Sequence, residues 1–167
     1  MIGGYKVMRM IKNGRYAIYK GAEYLIYNGD IDNKNAILLL SGSRDDLKNG
    51  FSLSYDEDYM KSREIFCCEK EVPKSEITEA YDIRTHAVYK GVGASIIGCL
   101  KPNWIGLRTT CLYGEDENEF LKKVNNAGFE YIEREQGGVD VYGIDVSLDD
   151  PDLKLEEIRK ELDISKL

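Results

Sequence analysis

Tyr16-Ala17-Ile18-Tyr19-Lys20-Gly21 returns as His86-Ala87-Val88-Tyr89-Lys90-Gly91, at an offset of 70 residues. A second echo lies further along: Leu47-Lys48-Asn49-Gly50-Phe51 resembles Asn125-Asn126-Ala127-Gly128-Phe129, at an offset of 78. The eight extra residues fit a longer helix before the second Gly-Phe. Each half then closes on an acidic, helix-like segment, Pro73 to Ala80 and Pro151 to Leu162. Two copies fall short of the three or so that a solenoid needs, so the simplest reading is a duplicated small module.

Working outward from the first copy, residues 6–12 and 15–20 read as a hairpin about Asn13-Gly14, a pair suited to two successive positive φ angles. Strands follow over 23–27 and 35–40. A helical turn over 45–48 is stopped by Asn49-Gly50 as a left-handed cap. Further strands are expected over 51–55 and 64–69. In the second half, 83–89, 94–100, 105–112, 130–134 and 139–146 read as strands. Residues 115–127 read as a helix, because Phe120, Leu121, Val124 and Ala127 recur on one face. Asp150-Pro151 looks like a helix start, with Leu155, Ile158 and Leu162 as its apolar stripe. The predicted class is α+β: two similar small β-rich modules in tandem, each with antiparallel strands and one or two short helices. The first spans 1–82. The second spans 83–167, ends in an acidic helix, and packs with the first as one body.

The composition is that of an ordinary globular chain: 167 residues, 43% hydrophobic and 32% charged. A chain this long buries about 70% of its unfolded surface, enough for a core without disulfides or metal. The net charge of -7 argues against a general nucleic-acid coat or a polybasic membrane binder. The most apolar run, Ala36 to Leu40, is far shorter than a membrane helix, and residues 1–6 do not open a secretory signal. A cytoplasmic location is expected.

No motif commits the chain to catalysis. Cys67, Cys68, Cys99 and Cys111 lack zinc spacing with the single histidine, His86, and read as reduced, partly buried thiols. Gly91-Val92-Gly93-Ala94-Ser95 lacks both the third dinucleotide-type glycine and a Gly-Lys-Ser/Thr ending, and it leads into a strand. It therefore reads as a turn. His86 lies in a strand-like stretch with no nucleophile signature beside it. Neither a cofactor nor a metal is expected.

Charge carries more information. Residues 1–112 hold 16 Lys and Arg against 14 Asp and Glu, a net of +2; residues 113–167 hold 7 against 16, a net of -9. A molecule so polarised meets a basic partner quickly and in a preferred orientation. Tyrosine is the other anomaly, 12 residues against 4 Phe and 1 Trp. Tyr16 and Tyr19 point to different faces of one strand, so some rings must lie near the surface, where Tyr is a frequent interface anchor.

The repeated Tyr19-Lys20-Gly21 and Tyr89-Lys90-Gly91, the Gly-Phe after each helix, and Val72-Pro73-Lys74-Ser75-Glu76-Ile77 resemble small acidic immunity proteins of bacterial polymorphic or contact-dependent toxin systems. The resemblance implies a cytoplasmic protein without catalytic residues that binds and neutralises one cognate toxin, often a basic nuclease. The expected partner is thus a basic toxin domain, with neither membrane nor nucleic acid involved. The residues expected to meet it are Glu115, Asp116, Glu117 and Glu119, then Asp56, Glu57 and Asp58 in a loop or hairpin tip, with Tyr16 and Tyr19 as anchors. Two rival readings are an enzyme using His86 or a cysteine between the modules, and a nucleic-acid or regulatory module using the N-terminal Lys/Tyr hairpin.

Overall fold

The computed structural model describes residues 11–99 and 101–167. The fold is α+β, mostly antiparallel strand with a few short helices. Two compact units divide it: Asn13–Arg84 with Arg159–Leu167, and Thr85–Ile158 with residues 11–12.

In the first unit the strands are β1 (Gly14–Tyr19), β2 (Ala22–Ile26), β3 (Ala36–Ser41), β4 (Ser52–Leu53), β5 (Cys68–Pro73) and the first part of β6 (Ile77–Tyr89). Their order is β4-β5-β3-β2-β1-β6, every pairing antiparallel. A 3-10 helix, Arg44–Asn49, follows β3, and helix α1 (Glu57–Ser62) follows β4. The core gathers Ala17, Tyr19, Ile26, Leu39, Phe51, Cys68 and Val72. Ala17 and Tyr19 alternate with the half-buried Tyr16 and Ile18, which is the period-two signature of a strand with one face inward.

The second unit takes the rest of β6, then β7 (Val92–Ile97), β8 (Trp104–Thr110), helix α2 (Glu117–Asn126), β9 (Glu130–Arg134), β10 (Asp140–Ser147) and part of β11 (Leu153–Glu161). The order is β6-β7-β8-β10-β9, and β11 pairs with β6. Phe120, Val124 and Ala127 of the α2 region pack on Ala87, Tyr89, Ala94, Ile105, Leu107 and Phe129.

Both hairpin turns repeat in geometry as well as in sequence. Lys20 and Gly21 have φ of 50° and 79°; Lys90 and Gly91 have 48° and 80°. Two consecutive left-handed residues match the twist of the flanking strands, and Lys-Gly places the more permissive residue second. Both Gly-Phe pairs close their helices alike. The Phe51 amide donates to the Asp46 carbonyl and Gly50 to Leu47; Phe129 donates to Val124 and Gly128 to Asn125. That is the Schellman arrangement, which drops the phenylalanine onto the core.

Three expectations need correction, and a fourth is not tested. The acidic C-terminal helix over 151–162 is strand β11. Its apolar spacing suits a helix, but a free-standing helix that short is marginal, whereas the edge of β6 offers backbone partners such as the Ala80 carbonyl to the Leu162 amide. Pro73 to Ala80 forms a single 3-10 turn, Lys74–Glu76, and then enters β6 for the same reason. Asp56, Glu57 and Asp58 are not a loop tip but the cap and first turn of α1. The hairpin drawn over 6–12 lies in large part outside the described residues; the turn observed beside β1 is Lys20-Gly21.

Candidate functional site

The acidic stretch before and within α2 is one continuous exposed run from Leu112 to Glu119. Local chemistry builds it. The Asp116 carboxylate caps α2 by accepting the Glu119 amide at 2.9 Å, and Glu115 accepts the Leu112 amide at 2.8 Å. The first bond satisfies a backbone donor that the helix start leaves open, and the second ties down the segment that leads into it. Glu117 and Glu119 sit in the first turn, where the aligned peptide dipoles favour negative charge. Ahead of them Leu112 is 66% and Tyr113 fully exposed. An apolar pair therefore projects beside four carboxylates. Sequence reasoning passed over it, although a Leu-Tyr pair stranded between a strand end and a helix cap is a readable signal.

The neighbourhood is electrically negative. Thr85–Ile158 holds seven Lys and Arg against fourteen Asp and Glu, a net of -7. Among the described residues of this unit, Glu133 and Asp140 are held in ion pairs with Arg108 and Arg134, while none engages Glu115, Asp116, Glu117 or Glu119. Burial raises the Cys111 thiol pKa, and the carboxylates of Glu115, Glu117 and Asp116 raise it further. The Tyr142 hydroxyl is raised in the same way, by burial first and then by Asp140 and Glu117.

Asp56, Glu57 and Asp58 form a second exposed acidic group, at the start of α1 in the other unit. Asp56 caps the helix through the Tyr59 amide at 2.8 Å. Tyr55 and Tyr59 are exposed beside it, with ring centroids 5.2 Å apart, and Arg63 lies over the Tyr59 ring. Of the two tyrosines expected as anchors, Tyr19 is 5% exposed and belongs to the core, so it cannot serve as one. Alternation places Tyr16 and Tyr19 on opposite faces, but only the packing reveals which face is inside. Tyr16 is half-buried within the sheet, opposite Leu25 and Tyr81.

His86 is exposed on β6 and lines a groove of about 710 Å³, together with Ser95, Arg108, Lys123, Glu115 and Glu135. No cysteine lines that groove, and among the described residues no hydrogen bond joins His86 to a carboxylate. Gly91 and Gly93 also border it, in the turn and strand of β6 and β7, with no helix N-terminus following them. Among the described residues no group of three or more His, Cys, Asp or Glu could hold a metal ion, and no helix is long and apolar enough to cross a membrane.

The family model described as "Uncharacterised conserved protein UCP033725" matches residues 11–137, and the chain belongs to that family. No curated protein and no solved structure matches the chain.

Proposed function

We propose that the chain is an inhibitor-type binding protein of the cytoplasm, an immunity protein that neutralises a cognate basic toxin by steric and electrostatic occlusion. In this reading it is not an enzyme and takes no cofactor. The observation that carries it is the exposed run from Leu112 to Glu119, an apolar pair bordered by carboxylates without ion-pair partners among the described residues. A desolvated aromatic anchor with a charged rim is the usual anatomy of a tight protein interface. The carboxylates would face toxin Lys and Arg, and Tyr113 would supply buried area on contact. Asp56, Glu57 and Asp58, flanked by Tyr55 and Tyr59, form the second candidate patch.

The same proposal includes a tandem duplication, with modules over 1–82 and 83–167. Setting β6 against β1, the orders β4-β5-β3-β2-β1 and β9-β10-β8-β7-β6 correspond strand for strand. The paired Lys-Gly turns and the paired Gly-Phe closures support it as well.

The test begins with affinity purification of the tagged chain from its native host and expression of the captured protein alone. That protein should arrest growth by itself and be harmless beside this chain. Tyr113→Ala should weaken binding about tenfold or more, and Glu117→Gln with Glu119→Gln should slow association and flatten its salt dependence. A harmless captured protein, or variants that bind like the parent at every salt concentration, overturns the proposal.

A further inference from the structure

Three Asn-Gly pairs stand in the chain: Asn13-Gly14, Asn28-Gly29 and Asn49-Gly50. A glycine nitrogen has no neighbouring side chain in its way, so it can reach the asparagine amide beside it and close a cyclic imide. The fold decides which pair is able to do so. Gly14 opens β1, opposite Ile83 of β6. Asn49 ends the 3-10 helix; its side-chain amide donates to Asp46 at 3.0 Å, its carbonyl accepts Lys70 at 2.8 Å, and the Gly50 amide donates to Leu47. Asn28-Gly29 lies instead in the loop between β2 and β3. Both residues are exposed, and among the described residues the Gly29 amide donates no hydrogen bond. Packing still demands glycine there, because the Tyr27 ring occupies the place of a Cβ at residue 29. The Asn28 amide itself accepts one bond: Arg15 Nε donates to its Oδ1 at 2.9 Å.

We infer that Asn28 is a self-modifying site, converted to aspartate and isoaspartate with Arg15 assisting. The Gly29 nitrogen gives its proton to solvent base and bonds to Cγ of Asn28. Negative charge gathers on Oδ1, where the Arg15 guanidinium is already placed to stabilise it. The Cγ–Nδ2 bond then breaks, and ammonia leaves with a proton taken from solvent. Water opens the cyclic imide at either carbonyl. Attack at Cγ gives aspartate; attack at the backbone carbonyl carbon gives isoaspartate. The net change is amide plus water to acid plus ammonia, with nothing oxidised or reduced. The new carboxylate faces Arg15 as an ion pair. It also adds negative charge to a groove of about 450 Å³ that Arg15, Lys34 and Lys74 line. The chain thus carries a slow, one-way charge change of its own making. The inference stands apart from the inhibitor reading, because it uses neither the α2 patch nor any toxin.

The experiment is incubation of the full chain in mildly alkaline buffer, native and in guanidinium chloride, with circular dichroism to confirm folding. Peptide mass spectrometry reads each Asn-Gly pair for the mass gain of amide to acid and separates isoaspartate from aspartate. In the native chain Asn28 should convert about tenfold or more faster than Asn13 and Asn49. In denaturant, where only sequence acts, the three rates should agree within about threefold. Arg15→Gln should slow Asn28 about fivefold in the native chain and leave its rate in denaturant unchanged. The comparison of native and denatured wild type remains if that variant misfolds. A native Asn28 no faster than the other two, a folded Arg15→Gln chain that converts as fast as wild type, or aspartate formed without isoaspartate overturns the proposal.

Discussion

The Tyr24 hydroxyl donates to the carboxylate of Asp46 at 2.9 Å, across 22 residues of chain. Ser41 at 2.5 Å and Asn49 at 3.0 Å donate to the same carboxylate, so one side chain ties β2, β3 and the 3-10 helix together. Burial pushes the Asp46 carboxyl upward, but the bonds from Ser41, Asn49 and Tyr24 outweigh it, and the group lies below the ordinary carboxylate range. Burial, then the bond to Asp46, pushes Tyr24 up to about 12.

The sign of the pH dependence follows for each group. A depressed Asp46 contributes stability that is present above its unfolded value, about 3.9, and is lost as the pH falls below that. A raised Tyr24 contributes stability that is intact below its unfolded value, about 10, and is lost as the pH climbs toward 12. Denaturant melts of Asp46→Asn should therefore lose less stability between pH 5 and 2 than wild type, an interval of about three units around the unfolded value. Melts of Tyr24→Phe should be flatter above about pH 10. Parallel curves for variant and wild type would refute the assignment.

The two hairpin turns make a matched pair for measurement. A Cβ at Gly21 or at Gly91 meets nothing within 4 Å, so alanine there pays only for the left-handed backbone. Gly21→Ala and Gly91→Ala should each lower stability by about 1–2 kcal/mol, and by similar amounts. Gly128→Ala adds contact with Ile144 at 3.4 Å to a φ of +87° and should cost at least as much. Equilibrium urea unfolding reads all three.

The carboxylates around α2 divide into caps and free charges. Asp116→Ala removes the acceptor of the Glu119 amide and should cost about 1 kcal/mol. Glu117→Gln, Glu119→Gln and Tyr113→Ala touch exposed side chains and should change stability by no more than about 0.5 kcal/mol. Thermal melts of the four variants would separate the two roles. A large loss at Tyr113 would mean that the ring is packed rather than presented.

The thiols report on the same field. Cys68 is fully buried and should be the last to alkylate with iodoacetamide, as followed by peptide mass spectrometry. Cys111, raised by burial and then by Glu115, Glu117 and Asp116, should alkylate faster at pH 8 once Glu115 and Glu117 are changed to Gln. An unchanged rate would show that those carboxylates do not act on it.

What could be read along the chain was whatever short-range chemistry decides. Asp116, Phe120, Val124 and Gly128 carry cap, stripe and stop within about one dozen residues, and α2 forms where they announce it. Glu130–Arg134 forms its strand over the residues expected. Lys20-Gly21 and Lys90-Gly91 repeat because a two-residue turn needs only its own φ angles. Tertiary structure decided the rest. Residues 151–162 hold helix spacing and helix-start chemistry, yet they lie as a strand because β6 offers them backbone partners, which no local window contains. Tyr19 is inside and Tyr113 outside for the same kind of reason: alternation and loop position are local, but the surface that a ring meets is made by residues far away in the chain. Asp46 appeared as one more acid in a helical turn, and only the approach of Tyr24 and Ser41 made it the tie of its unit.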